Sequence, residues 1–160
     1  MSLLKVSIVL QGGIMPTKAT EGSAAYDVYA SEDTVITYGR NKIPLGFSLE
    51  FSSEWEALID ARSGFSLKGM EGYLFPDYNY ERPRRFDADV IQGKCDSDYR
   101  GIYNVIVKSY DKDPFVVKKG TRIAQMTFVP VGTAEFIEVD RLSDSDRADG
   151  GFGSTGTNQI

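Results

Sequence analysis

Two carboxylates, a phenol and a guanidinium fall together in Gly93-Lys94-Cys95-Asp96-Ser97-Asp98-Tyr99-Arg100-Gly101. Glycines bracket the stretch and Asp-Ser-Asp supplies turn chemistry. Ile102-Tyr103-Asn104-Val105-Ile106-Val107 follows as a run of β-branched and aromatic residues, so the stretch reads as the tip of a β-hairpin. The chain has no histidine. A His-based triad, a His general base and a His-rich zinc site are therefore excluded, and acid–base chemistry falls to carboxylates, Tyr or Lys. A lone Asp-x-Asp more often shapes a turn than performs a reaction; the rest of the chain has to decide between these.

Two further stretches bear on anions. Arg62-Ser63-Gly64 precedes Phe65-Ser66-Leu67-Lys68-Gly69, which fits one helical turn ending at Gly69. Ser63 and Gly64 then stand where unpaired backbone N–H groups face outward. A plain Ser-capped turn explains the same residues. At the far end runs Arg147-Ala148-Asp149-Gly150-Gly151-Phe152-Gly153-Ser154-Thr155-Gly156. From Leu142 onward the chain is Ser, Asp and Gly with almost nothing to bury, a tail that stays mobile unless a ligand orders it. The formal net charge is −5. A polyanionic ligand would therefore need a few placed cations and a metal ion.

The elements that must position these groups are short. Runs of β-branched and aromatic residues alternate with Gly, Pro, Asn and Asp, and no long stretch has helical periodicity, which is the pattern of an all-β sandwich or barrel. Strands are expected at Leu3–Leu10, Tyr26–Ala30, Thr34–Tyr38, Ile43–Phe51, Trp55–Ala61, Thr121–Val131 and Ala134–Val139, with Lys118-Lys119-Gly120 as a tight hairpin. Residues 69–90 read as an excursion, aromatic and carrying the dense cationic run Arg82-Pro83-Arg84-Arg85. The expected organisation is one domain, 1–141, with 69–90 as an insertion loop and 142–160 as a C-terminal arm. Cys95 is the only cysteine, so no internal disulfide can form. No apolar run approaches a membrane span, no signal peptide is visible and no basic block marks a nucleic-acid face. A cytoplasmic protein with neither membrane nor nucleic acid as partner is expected.

Five stretches, in order, resemble the motifs of the trimeric deoxyuridine triphosphatases (dUTPases): Ser23–Ala30, Ala61–Lys68, Gly93–Gly101, Gly120–Gln125 and Arg147–Gly156. Any one could be chance; the ordered set is specific and spans most of the chain. The resemblance implies a distorted antiparallel jelly roll assembled as a homotrimer. Active sites would form between subunits, the first, second and fourth motifs from one chain, the hairpin from a second and the glycine-rich arm from a third.

It also implies hydrolysis of dUTP to dUMP and pyrophosphate with Mg²⁺. Asp27 matches the acid that approaches the ion through ordered water. Asp96 matches the general base that activates the water attacking the α-phosphorus, while Asp98 is a turn-former. Ser63 and Gly64 would present donors to the phosphates, Arg62 would add charge, and Gln125 would donate or water-bridge. Arg122 belongs to structure, paired with a neighbouring carboxylate. Gly93, Lys94, Cys95 and Asp96 would read uracil through their backbone, and Tyr99 would lie under the deoxyribose. Arg147 would grip the γ-phosphate. Phe152 would stack on uracil, with Gly153, Ser154 and Thr155 adding N–H groups and hydroxyls.

The chain departs from the pattern at Ala25, Ala61 and Ala148, at the Lys94-Cys95 pair beside the base, and at 69–90. Two rivals remain. A dCTP deaminase or bifunctional deaminase–dUTPase of the same fold would carry a catalytic Glu and a Pro-Gly hairpin where this chain has Asp-Ser-Asp-Tyr-Arg-Gly. A non-catalytic regulator would bind a protein partner through 69–90.

Overall fold

The structure is a computed structural model and describes residues 3–76 and 82–151. It is all-β apart from one short helix. In chain order the elements are β1 (Ser7–Leu10), β2 (Tyr26–Tyr29), β3 (Thr34–Ile36), β4 (Gly39–Pro44), β5 (Phe47–Glu50), β6 (Trp55–Asp60), α1 (Ser63–Lys68), β7 (Met70–Leu74), β8 (Arg84–Phe86), β9 (Ala88–Ile91), β10 (Gly93–Cys95), β11 (Asn104–Ser109), β12 (Phe115–Val117) and β13 (Arg122–Pro130).

The strands pair into small antiparallel sheets: β10-β6-β13-β2, β4-β11-β9, β3-β12-β7-β8, and the pair β1-β5. Most neighbours are distant in sequence, as a jelly roll requires. Period-2 alternation drives the layering. On β11 Val105, Val107 and Ser109 turn inward while Ile106 faces out, and on β6 Ala57 and Ile59 are the buried pair. These side chains meet Ile36, Ile43, Phe47, Phe115 and Ile123 in one core. Phe86 stacks on Phe115 with ring centroids 4.1 Å apart.

Several expectations are corrected. The hairpin is wider than its sequence suggests. β9 and β11 pair as its arms, Ile91 opposite Ile106, but β10 leaves that ladder and adds to β6, with Gly93 opposite Ile59 and Cys95 opposite Ala57. Lys118-Lys119-Gly120 is a turn between sheets, since β12 pairs with β3 and β7 while β13 pairs with β2 and β6. Gly120 has φ 81°, so the turn depends on its missing side chain. The stretch 69–90 is strand at both ends: Met70 lies opposite Phe86 and Glu71 opposite Arg85, because Met70 and Phe86 have core to fill. Residues 134–139 form no strand, and Phe136 and Ile137 stand 96% and 75% exposed. Among the described residues no strand pairs with them.

Candidate active site

β13 is the axis of the site. Its Gln125 lies opposite Asp27 on β2 and opposite Asp60 on β6, which places three polar residues side by side across the sheet. Asp27 is 8% exposed. Its two carboxylate oxygens are each held by a guanidinium, Oδ1 by Arg62 Nε at 2.9 Å and Oδ2 by Arg122 Nη1 at 3.1 Å. Burial of that carboxylate is tolerable because both charges opposite it are in hydrogen-bond contact. Gln125 Nε2 donates to the Ala61 carbonyl at 3.1 Å. The junction from β6 into α1 is thus tied to β13 through Gln125 and to β2 through the Arg62–Asp27 pair.

α1 begins at Ser63 with Arg62 as its N-cap residue, and no side chain caps the first turn. It ends at Gly69, whose N–H donates to the Phe65 carbonyl at 2.8 Å and whose φ is 76°. Phe65 is buried and anchors the helix to the core. Ser63 and Gly64 are left exposed on the same junction that carries Arg62.

The hairpin tip builds a second feature, a hollow of about 330 Å³ walled by Gly93, Lys94, Cys95, Asp96, Tyr99 and Tyr103 among others. The tip is a tight turn, with Tyr99 N–H donating to the Asp96 carbonyl at 3.2 Å. Arg100 Nη1 donates to the Ser97 carbonyl at 2.7 Å, and Ser48 Oγ to the Gly101 carbonyl at 3.0 Å. Asp96 and Asp98 are exposed. Lys94 Nζ lies 2.6 Å from Glu56, so its side chain is directed along β6. Cys95 points into the protein. Burial, then the neighbouring Asp96 charge, push its thiol from an ordinary 9.0 up to about 11.

The arm is described to Gly151. Arg147 Nε donates to the Gly150 carbonyl at 2.7 Å within a local turn, and Ala148 sits in the left-handed region at φ 42°. Phe152, Gly153, Ser154 and Thr155 lie outside the described residues.

A family model described as dUTPase matches residues 11–74 and 87–156. The chain belongs to the dUTPase family. Its break over 75–86 falls inside the excursion. The deoxyuridine 5′-triphosphate nucleotidohydrolase of Nautilia profundicola is 36% identical over 155 residues, covering 96% of this chain and 98% of that one. That of Paramecium bursaria Chlorella virus 1 is 32% identical, covering 98% and 99%. Among solved structures, the Staphylococcus bacteriophage 80alpha dUTPase with dUpNHpp superposes with a TM-score of 0.78 at 22% identity, covering 96% of this chain and 99% of that one. The dUTPase fold is therefore shared.

Set in the dUTPase frame, the positions fall into groups. Asp27, Arg62 and Gln125 meet around β13, with Ser63 and Gly64 adjoining. Gly93, Lys94, Cys95, Asp96 and Tyr99 share the hairpin hollow. Arg147 stands apart on the arm, its Nε turned to its own Gly150. Asp60 and Gln92 were not singled out from sequence, yet Gln92 Nε2 donates to Asp60 Oδ1 at 2.8 Å and extends the polar row from Asp27 and Gln125. Alternation along β6 was the available signal, since a polar residue follows buried Ile59. Tyr103 was missed because it reads as an ordinary core aromatic.

The donor set suits a magnesium ion carried in by phosphate oxygens. Among the described residues no group of three or more His, Cys, Asp or Glu converges to form a protein cage. Both Asp27 oxygens are engaged by arginines, which leaves neither free as a direct metal ligand. No helix among the described residues is long and apolar enough to cross a membrane.

Proposed function

We propose that this chain hydrolyses dUTP to dUMP and pyrophosphate. The observation that carries this reading is the pairing of the hairpin hollow, with Asp96 on its wall, with membership of a family whose close relatives are dUTP nucleotidohydrolases. The hollow takes the deoxyuridine and the β13 cluster takes the phosphates.

Backbone N–H and C=O groups of Gly93 to Asp96 read the uracil edge. A base with the wrong donor pattern leaves buried groups unpaired and is rejected strongly. Tyr99 lies beside the sugar and leaves no room for a 2′-hydroxyl. Ser63 and Gly64 donate to phosphate oxygens, Arg62 adds charge, and Gln125 adds an amide. Asp96 holds a water and takes its proton as the water oxygen bonds to the α-phosphorus. The bridging P–O bond to the β-phosphate breaks and pyrophosphate leaves. A base so placed contributes roughly 10²–10⁴-fold. Asp27 would hold Mg²⁺ through water, and the ion would neutralise the triphosphate charge; a variant of the phage phi11 dUTPase, with a TM-score of 0.68 at 18% identity, carries a structural Mg(II) ion. Arg147 clamps the γ-phosphate, and Phe152, Gly153, Ser154 and Thr155 close over the nucleotide.

The working unit is a homotrimer. Phe136, Ile137, Val139 and Leu142 are exposed on a segment that pairs with no strand among the described residues. An apolar hollow of about 550 Å³, lined by Leu3, Leu4, Val6, Ile8, Tyr26 and Phe128 among others, is likewise open. Both features need another chain to cover them. The two clusters then complete each other across subunits, and the arm serves a neighbour.

Pyrophosphate release measured across dUTP, dTTP, dCTP and UTP, with and without Mg²⁺, tests the reading. Release from dUTP alone is expected. Ammonia release from dCTP, or no turnover of any of the four, contradicts it.

A further inference from the structure

Tyr103 is 1% exposed, yet its hydroxyl is the buried side-chain polar atom without a hydrogen-bond partner among the described residues. Native proteins rarely leave such a group unpaired without a reason. The residue is fixed from both sides of its backbone. Its N–H donates to the Phe47 carbonyl at 2.9 Å, and its carbonyl accepts from the Leu45 N–H at 2.9 Å. The ring packs between Phe47 and Tyr99, with centroids 5.7 and 5.6 Å away. It cannot easily swing to find a partner elsewhere.

Tyr103 also lines the hairpin hollow, together with Cys95, Asp96 and Tyr99. Burial above all, and then the Cys95 thiol, lift its hydroxyl well above the ordinary phenol range, so it keeps its proton and remains a donor. Cys95 cannot relieve it well, because a thiol is a weak acceptor. A phenylalanine would fill the same core position without an orphaned oxygen. The hydroxyl therefore adds nothing to the packing of the free chain.

We propose that the Tyr103 hydroxyl is a further base-reading group of the hairpin hollow, giving its hydrogen bond to a pyrimidine carbonyl oxygen, directly or through one trapped water, once a nucleoside occupies the hollow. The inference rests on reading that hollow as the nucleoside pocket. The neighbouring Tyr99 is 46% exposed and sits on the turn 96–100, so a small adjustment of the tip opens the path to the hydroxyl.

Tyr103→Phe removes the oxygen and keeps the ring. Its melting temperature and its affinity for dUMP are compared with those of the wild type by calorimetry. Affinity is also measured for dUMP analogues in which one base carbonyl is replaced by a thiocarbonyl, a much weaker acceptor. The variant is expected to melt at or above the wild-type temperature and to bind dUMP about tenfold more weakly. One thio analogue should weaken binding to the wild type and not to Tyr103→Phe. Equal dUMP affinity in the two proteins overturns the inference, as does a variant that melts lower while binding normally. Wild type that binds neither dUMP nor dUpNHpp overturns the reading of the pocket itself, a result separable from the other two.

Discussion

Tyr99 occupies the space a side chain at Gly101 would need. A Cβ at position 101 would lie 2.3 Å from the Tyr99 hydroxyl and 2.5 Å from Cζ. The ring folds back over the turn and its hydroxyl donates to the Ile102 carbonyl at 3.2 Å. Gly101→Ala should therefore displace Tyr99, whose ring also packs on the buried Tyr103 with centroids 5.6 Å apart. If Tyr99 excludes a 2′-hydroxyl, the preference for dUTP over UTP should fall by about tenfold, read as the ratio of kcat/KM values. An unchanged ratio would separate Tyr99 from sugar selection.

Asp27 bridges two guanidinium groups at once, one on each carboxylate oxygen. Asp27→Ala leaves Arg62 and Arg122 facing each other without a counter-charge. Because both arginines are partly solvated, the loss should be moderate, about 1–3 kcal/mol by urea denaturation. Arg122→Ala should cost less, and the double variant should be less unstable than the sum of the two. Strict additivity would mean that the pair contributes nothing.

Cys95 gives the chain a pH-dependent signature. Its thiol is raised from 9.0 to about 11, so at pH 8 it should react with iodoacetamide at least about tenfold more slowly than a free cysteine, the smaller thiolate fraction outweighing the greater nucleophilicity of each thiolate, and at the ordinary rate once the protein is unfolded. A group whose folded pKa is raised lends stability that is fully present below its unfolded value. That contribution is lost as pH climbs from about 9 through about 11. Cys95→Ala should flatten the melting curve's decline over this window. The Tyr103 hydroxyl, raised as well, accounts for part of what remains.

Residues 142–151 are exposed apart from the last two, and among the described residues their hydrogen bonds are local. A chain ending at Asp146 should therefore melt within a few degrees of the full protein and keep its oligomeric state, while losing nearly all turnover of dUTP. Full activity in the truncated protein would remove Arg147 and the arm from the site.

Much of this was legible from sequence for a physical reason: local chemistry specifies local structure. Arg62-Ser63-Gly64 with Gly69 did mark one helical turn, and Arg122 did pair with a neighbouring carboxylate, although which carboxylate became clear only from the register of β13 on β2. Non-local pairing was the illegible part. β10 prefers β6 to its own hairpin partner, and nothing in Gly93-Lys94-Cys95 announces that. Residues 134–139 carry a strand's composition and form none within one chain, since a strand requires a partner as well as a propensity. Tyr103 had the look of any core aromatic until its hydroxyl was seen to lack a partner.

Asp96, on the wall of the hairpin hollow, is the proposed acceptor of a proton from water. The most direct test is Asp96→Asn, which keeps shape and polarity but cannot take the proton, assayed for pyrophosphate release and for dUTP binding with Mg²⁺ in parallel. Turnover should fall by roughly 10²–10⁴-fold with the dissociation constant within a few-fold of wild type. Hydrolysis at the wild-type rate would contradict it.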